Sequence, residues 1–161
     1  MTYKSKQSIV SIVAGILICI AYIIYAFSKN APASDNLRSW ATTLLIFLGI
    51  GIVAMILIQI IFHILSAIGI AIIEQDKDDE EVERIISASM VEDERDKVIS
   101  LKSGRVGYIC AGVGLIIVLA ILTMGVSSVI ALHVLCASFA AGSIAEGFMS
   151  IYYYERGVRN G

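Results

Sequence analysis

The chain has 161 residues, of which 58% are hydrophobic and 16% charged, with a formal net charge of -2 and a mean hydropathy of +0.85. A soluble domain is about half apolar and about one-quarter charged, so this composition excludes a water-soluble enzyme and a disordered chain, and a sequence pI of about 5.6 excludes a basic nucleic-acid binder. The charge is also segregated: positions 74–105 hold 11 acidic and 6 basic residues, which leaves long uncharged runs on either side and makes this an integral membrane protein.

A helix crosses the roughly 30 Å hydrocarbon core with about 20 apolar residues, because no backbone polar group can stay unpaired there. The first uncharged run, 8–27, has that length. Lys4 and Lys6 before it and Ala31-Pro32-Ala33 after it also suit a signal peptide. Its apolar core is twice a usual signal's length and three more spans follow, so it is read as a retained span.

Positions 40–73 contain His63 as their only titratable group. As one helix they would be about 51 Å long, an excess that tilt does not absorb. The expected span is therefore 41–62, with 64–73 continuing past the membrane edge or lying against it and Gly69 as the bend point.

Positions 74–81 (EQDKDDEE) read as a solvated acidic helix start. They fail as a calcium loop, since Glu81 stands where a glycine is needed and Ser87 where a glutamate closes the loop. Beyond them the period becomes helical. Val82, Ile85, Ile86 and Met90 form an apolar stripe that Val98, Ile99 and Leu101 resume, while Asp93 and Lys97 make a favourable i,i+4 pair. This predicts one or two amphipathic helices beneath the membrane, within a cytoplasmic segment 64–105. Its stripe needs a cover: the lipid surface, a second copy of the chain or a cytoplasmic protein.

Positions 106–154 hold a single carboxylate, Glu146. They are too long for one span and fit two, 106–125 and 129–150, joined at Gly125-Val126-Ser127-Ser128. Summed by side, Lys and Arg number 10 on the face shared by both termini and the charged segment, against 2 (Lys29 and Arg38) on the other. Positive loops stay inside, which places both termini in the cytoplasm. Tyr3, Tyr108, Tyr152, Tyr153 and Tyr154 mark the inner interface, and Tyr25 and Trp40 the outer one. The expected architecture is an all-α, four-helix membrane bundle in the plasma membrane, N-in and C-in, forming a single domain 1–161.

An intramembrane carboxylate is costly and therefore a functional candidate. Glu146 falls near the inner interface, where Arg105 and His63 reach comparable depth, and Gln59 shares a helix face with His63. These four form the candidate polar cluster, through a contact of Glu146 with Arg105 or His63. His133 falls near the outer end of the last span, as an interfacial hydrogen-bonder. Cys19, Cys110 and Cys136 each lie within a span and read as small packing residues. Candidate close-packing points are Ala137, Ala141 and Ala145, then Gly112 and Gly114, Gly49 and Gly51, and Ala14 with Gly15. No nucleotide loop, nucleophile elbow, paired carboxylates or metal-ligand spacing is present. The reading is a non-enzyme with no cofactor, no metal and no nucleic-acid partner.

The run Asp93-Glu94-Arg95-Asp96-Lys97-Val98-Ile99, then Lys102 and Arg105 entering a span, and Tyr152-Tyr153-Tyr154-Glu155-Arg156-Gly157 closing the last one, resemble small four-span prokaryotic membrane proteins of an uncharacterised family (a domain of unknown function). The resemblance covers residues 90–160; the first half matches in hydropathy alone. Members are often encoded beside helix-turn-helix regulators, so the resemblance implies a regulatory or stress-linked role and supplies no catalytic residues. Glu155 departs from it where a basic residue is more typical.

The expected function is a non-enzymatic regulatory or interaction protein, homo-oligomeric, acting through its cytoplasmic helix. The residues that would carry it are Val82, Ile85, Ile86, Met90, Asp93, Glu94, Arg95, Asp96, Ile99 and Lys102. The alternative is a small oligomeric transporter or channel subunit with Glu146, and His63 or Arg105, as a proton- or cation-coupling site.

Overall fold

A computed structural model of the chain describes residues 3–73 and 94–157. Among these residues there are four helices: α1 (Tyr3–Ala26), α2 (Leu37–Ile73), α3 (Glu94–Thr123) and α4 (Ser128–Arg156). All four are long and apolar enough to cross a membrane. Val82, Ile85, Ile86, Met90 and Asp93 lie outside the described residues.

Two sequence expectations need correction. The 94–105 stretch is not a separate helix beneath the membrane: Glu94, Arg95, Asp96, Ile99 and Lys102 form the first turns of α3, continuous with its span. Ile99 is fully buried, so the start of this helix is held by packing and does not need to bend away. Gly69 does not interrupt α2, which runs as one helix to Ile73. One glycine costs a helix only about 1 kcal/mol relative to alanine, too little to break a helix whose neighbours are almost all Ile, Leu and Ala.

Local chemistry ends the helices where the chain must turn. Asn36 caps α2, its Oδ1 accepting from Ser39 N at 3.0 Å. The Trp40 indole donates to Ala33 O at 3.0 Å, tying the preceding loop to the helix. Between α3 and α4, Gly125 takes φ 77°, a left-handed conformation that glycine adopts without strain. Around it Val126 N donates to Ile121 O at 3.1 Å, closing the carbonyl end of α3. Ser127 then caps α4, accepting from Val129 N at 3.3 Å.

The helices associate in the order α3, α4, α1, α2. The most extensive contact is α3 on α4, followed by α1 on α4 and α1 on α2, while α2 meets α4 only marginally. Lipid provides no hydrophobic drive between spans, so close backbone approach must hold them. The α3–α4 seam supplies it. On α3, Ile99, Ser103, Gly114 and Val118 are buried along one face. A Cβ on Gly114 would run into Ser138, and one on Gly142 would lie 3.0 Å from Gly107 O and 3.2 Å from Cys110 Cβ. Across the other side of α4, Ile12 of α1 lies over Gly147 and Ser8 Oγ meets Ser150 Oγ at 3.1 Å.

The alanine stripe is one residue off this seam: Ala137 and Ala141 are exposed, whereas Ser138 and Gly142 make the contact. Gly112, Gly49 and Gly15 face open space, and Gly51 rests against Ile18. Of the glycines expected to pack closely, Gly114 is the one whose missing side chain α3 requires.

Cross-contacts also fix the helices' relative levels. Gln7 is level with Gln59, Ser8 with Ser150 and Arg95 with Tyr154, while Trp40 meets His133 at the other end. The distance from Trp40 to Gln59 is about 29 Å of helix, close to the hydrocarbon thickness. Past Gln59, α2 continues for about 21 Å, whereas α1 extends about 6 Å past Gln7. The end of α2 therefore projects about 15 Å beyond α1.

If the α3–α4 seam depends on missing side chains, Gly114→Leu and Gly142→Leu lower stability by roughly 1–3 kcal/mol, the usual cost of overpacking. Gly112→Leu, which faces open space, stays within about 0.5 kcal/mol of the parent. Thermal unfolding of the three purified variants in detergent measures the difference.

Candidate functional site

Glu146 lies on the face of α4 that meets α3, one turn beyond Gly142. Opposite it α3 presents two glycines. A Cβ on Gly107 would come 2.8 Å from Glu146 Oε2, and one on Gly104 would lie 3.7 Å from Oε1. The carboxylate therefore occupies room created by absent side chains. Above it is a groove of about 370 Å³ lined by Ser100, Leu101, Gly104, Gly107, Tyr108, Ala111, Phe139, Ser143 and Glu146. Tyr108 is 82% exposed and Phe139 57%, so the groove opens sideways, toward the surroundings of the helices. Glu146 is one turn, about 6 Å, inside the level of Ser150.

The expected cluster is not assembled. Among the described residues Glu146 makes no hydrogen bond or ion pair, with Arg105, His63 or any other group. Arg105 is exposed and sits between Gly104 and Gly107 in sequence, so at about 100° per residue it points away from the face they share. His63 is separated from α3 by the helix order, since α4 and α1 intervene. It is half-buried, with its ring 6.4 Å from that of Phe62.

Gln59 belongs to a different constellation. Gln7 Nε2 donates to Gln59 Oε1 at 2.7 Å, Gln59 Nε2 donates to Ser11 Oγ at 2.7 Å, and Ser11 Oγ donates to Gln7 O at 3.1 Å. Every group in this loop is neutral, so it fastens α1 to α2 without holding a charge. Gln7 and Ser11 were legible as polar residues four apart near the start of the first span, the same spacing that singled out Gln59 and His63. Gly104 and Gly107, three apart on α3, were the sequence signal for the room that Glu146 needs.

At the opposite end, rings close the structure. The Trp40 and His133 rings meet edge-on at 4.6 Å, Tyr22 lies 6.0 Å from His133, and Phe47 lies 5.2 Å from Tyr22 and 5.5 Å from Tyr25. His133 Nδ1 donates to Val129 O at 2.7 Å, which leaves Nε2 as the acceptor nitrogen when the ring is neutral. At the basic end, Arg95 donates to Tyr154 O at 3.3 Å, in the last turn of α4, where a cation also suits the helix dipole. Arg156 stacks over Tyr152 at 5.5 Å. The cysteines are free thiols, and no group of three or more His, Cys, Asp or Glu side chains is gathered for a metal among the described residues.

The chain matches no family model, no curated protein and no solved structure.

The separation of the two polar constellations is measurable. A double-mutant cycle joining Gln7→Ala and Gln59→Ala is expected to show coupling of roughly 0.6–1.7 kcal/mol, as found for interhelical hydrogen bonds in membranes. The cycle joining Gln59→Ala and Glu146→Gln should be additive within about 0.5 kcal/mol. Unfolding of the purified protein in detergent is the readout.

Proposed function

We propose that the protein is a small membrane transporter or channel subunit that engages a cation at Glu146, with both termini in the cytoplasm. One observation carries this reading: the only acidic side chain in the 106–154 stretch stands in a groove between α3 and α4, without a counter-charge among the described residues. A carboxylate placed for structure alone would be expected to meet a cation or several hydrogen-bond donors, because burying an unpaired charge costs several kcal/mol. Glu146 instead has two glycines beside it and an opening in front. An incoming cation supplies what the fold leaves out.

Arg105 and His63, considered from sequence as its partners, have no part in this reading. Nor does a central path: the order α3, α4, α1, α2 puts the groove at the edge of the molecule. Passage across the membrane therefore involves a second subunit, and the exposed apolar length of α2 gives self-association a surface. A second reading, regulation through a bound cytoplasmic protein, draws on the continuity of α3 from Glu94 to Thr123. A partner held on the first turns of α3 would act directly on the seam beside Glu146.

In liposomes, cation or proton flux through the wild-type protein is expected to fall at least about tenfold in Glu146→Gln, equivalent to about 1.4 kcal/mol. Arg105→Gln and His63→Ala should change it by less than about threefold, under 1 kcal/mol on the same scale. Undiminished flux in Glu146→Gln removes the proposal. The orientation is checked separately in a background without native cysteines: an impermeant maleimide should label Lys29→Cys in intact cells, and Lys97→Cys only after lysis.

A further inference from the structure

We infer that the groove over Glu146 takes the charged head of a lipophilic organic cation, an alkylammonium that enters sideways from the bilayer. This rests on the reading of Glu146 as a cation-engaging carboxylate and names the chemical class it accepts. Three features of the groove select that class.

The first is access. Tyr108 and Phe139 flank the opening and are largely exposed, on helices whose outer faces meet hydrocarbon. Tyr108 marks the inner interface and Phe139 lies further into the span, so a ligand taking this route is an amphiphile, its head at the interface and its carbon chain in the apolar layer. Glu146 itself is one turn inside the level of Ser150, so a cationic head drawn in from the basic end travels only about 6 Å into that layer.

The second is the shortage of oxygen ligands. A calcium ion takes 6–8 oxygens and magnesium demands near-octahedral coordination, whereas the side chains around the groove bring one carboxylate and the hydroxyls of Ser100, Ser143 and Tyr108. Such a set replaces little of a metal ion's hydration shell. A quaternary alkylammonium, with no N–H groups, holds its water far more weakly. Its charge is spread under methyl or methylene groups, and it needs one counter-charge and an apolar surround.

The third is the shape of the lining. The aromatic rings of Tyr108 and Phe139 offer cation–π faces to a desolvated ammonium, and Leu101 and Ala111 suit its carbon atoms. The floor is Gly104 and Gly107, so nothing stands between the head and the carboxylate. A volume of about 370 Å³ lies within the range of small-molecule sites and accommodates a trimethylammonium head, with the alkyl tail left among the lipids. Gly104 has only Glu146 Oε1 within 4 Å of an added Cβ, at an ordinary contact distance. A methyl group at this position narrows the groove beside the carboxylate and meets no other atom of α4.

The test uses the full chain in phosphatidylcholine nanodiscs, titrated calorimetrically with dodecyltrimethylammonium, and with dodecyl maltoside as a neutral amphiphile of the same tail. Saturable binding of the cation alone is expected, weakened about 30-fold or more in Glu146→Gln, as for loss of one member of a desolvated charge pair. Gly104→Ala, whose added methyl meets only Glu146 Oε1, should also weaken it while the melting temperature stays near the wild-type value. Equal binding by the neutral amphiphile, or binding untouched by Glu146→Gln, overturns the inference. If the cation fails to bind but liposome flux of inorganic cations or protons still depends on Glu146, the lipophilic class falls and the coupling carboxylate stands. If neither flux nor binding depends on Glu146, both fall.

Discussion

The contact between α3 and α4 is the constraint on which the rest of this structure depends. In a bilayer two apolar helices gain nothing by leaving lipid for each other unless their backbones come close. Here Gly114 meets Ser138 and Gly142 meets the backbone of Gly107, and the same approach carries Glu146 onto the glycines one turn further along. The groove is a by-product of that fit. Where the facing residues stop filling the space between the helices, beyond the Gly107–Gly142 contact, the seam opens and the carboxylate occupies the gap. Stability and the candidate site are thus set by one run of small residues, and α1 is added on the far side of α4 through Ile12, Ser8 and Ser150.

The four apolar helices long enough to span a membrane and the turn at Gly125 are legible in the sequence, because each follows from a rule acting along the chain: backbone satisfaction in lipid, uncharged length, and a glycine where φ is positive. Which faces meet is a property between chains of side chains. The spacing of Ala137, Ala141 and Ala145 is as good a close-packing signal as that of Ser138 and Gly142, and only the partner helix distinguishes them. The polar cluster failed for the same reason. Equal depth made Glu146, Arg105 and His63 look like neighbours, but depth is one coordinate, and the lateral order of helices puts α4 and α1 between two of them. Gln59 reads from the sequence as a companion of His63, whereas it bonds to Gln7 and Ser11, at the start of α1 where polar residues read as flanks.

Polar groups in this molecule divide by what they are offered. The amides of Gln7 and Gln59 and the hydroxyl of Ser11 exchange hydrogen bonds with one another, as the absence of water favours. The basic side chains stay near the ends, where Arg95 finds a helix-terminal carbonyl and Arg156 a tyrosine face. Glu146 is treated differently, placed inward of both and left facing an opening. That contrast, more than the presence of an acidic residue in a span, directs attention to it.

The unequal lengths of the helices bear on how the molecule would respond to the bilayer itself. Near the turn end, α2 is fastened by its Asn36 cap, the Trp40–Ala33 bond and the ring contact with His133, whereas its other end projects with Ile64, Leu65 and Ile68 exposed. A thicker hydrocarbon layer can immerse those side chains at no cost, but on α1 and α3 it soon reaches Lys6 and Lys102. Changes in membrane thickness would therefore be felt asymmetrically, as a shear between one greasy, anchored rod and three neighbours pinned by their charges.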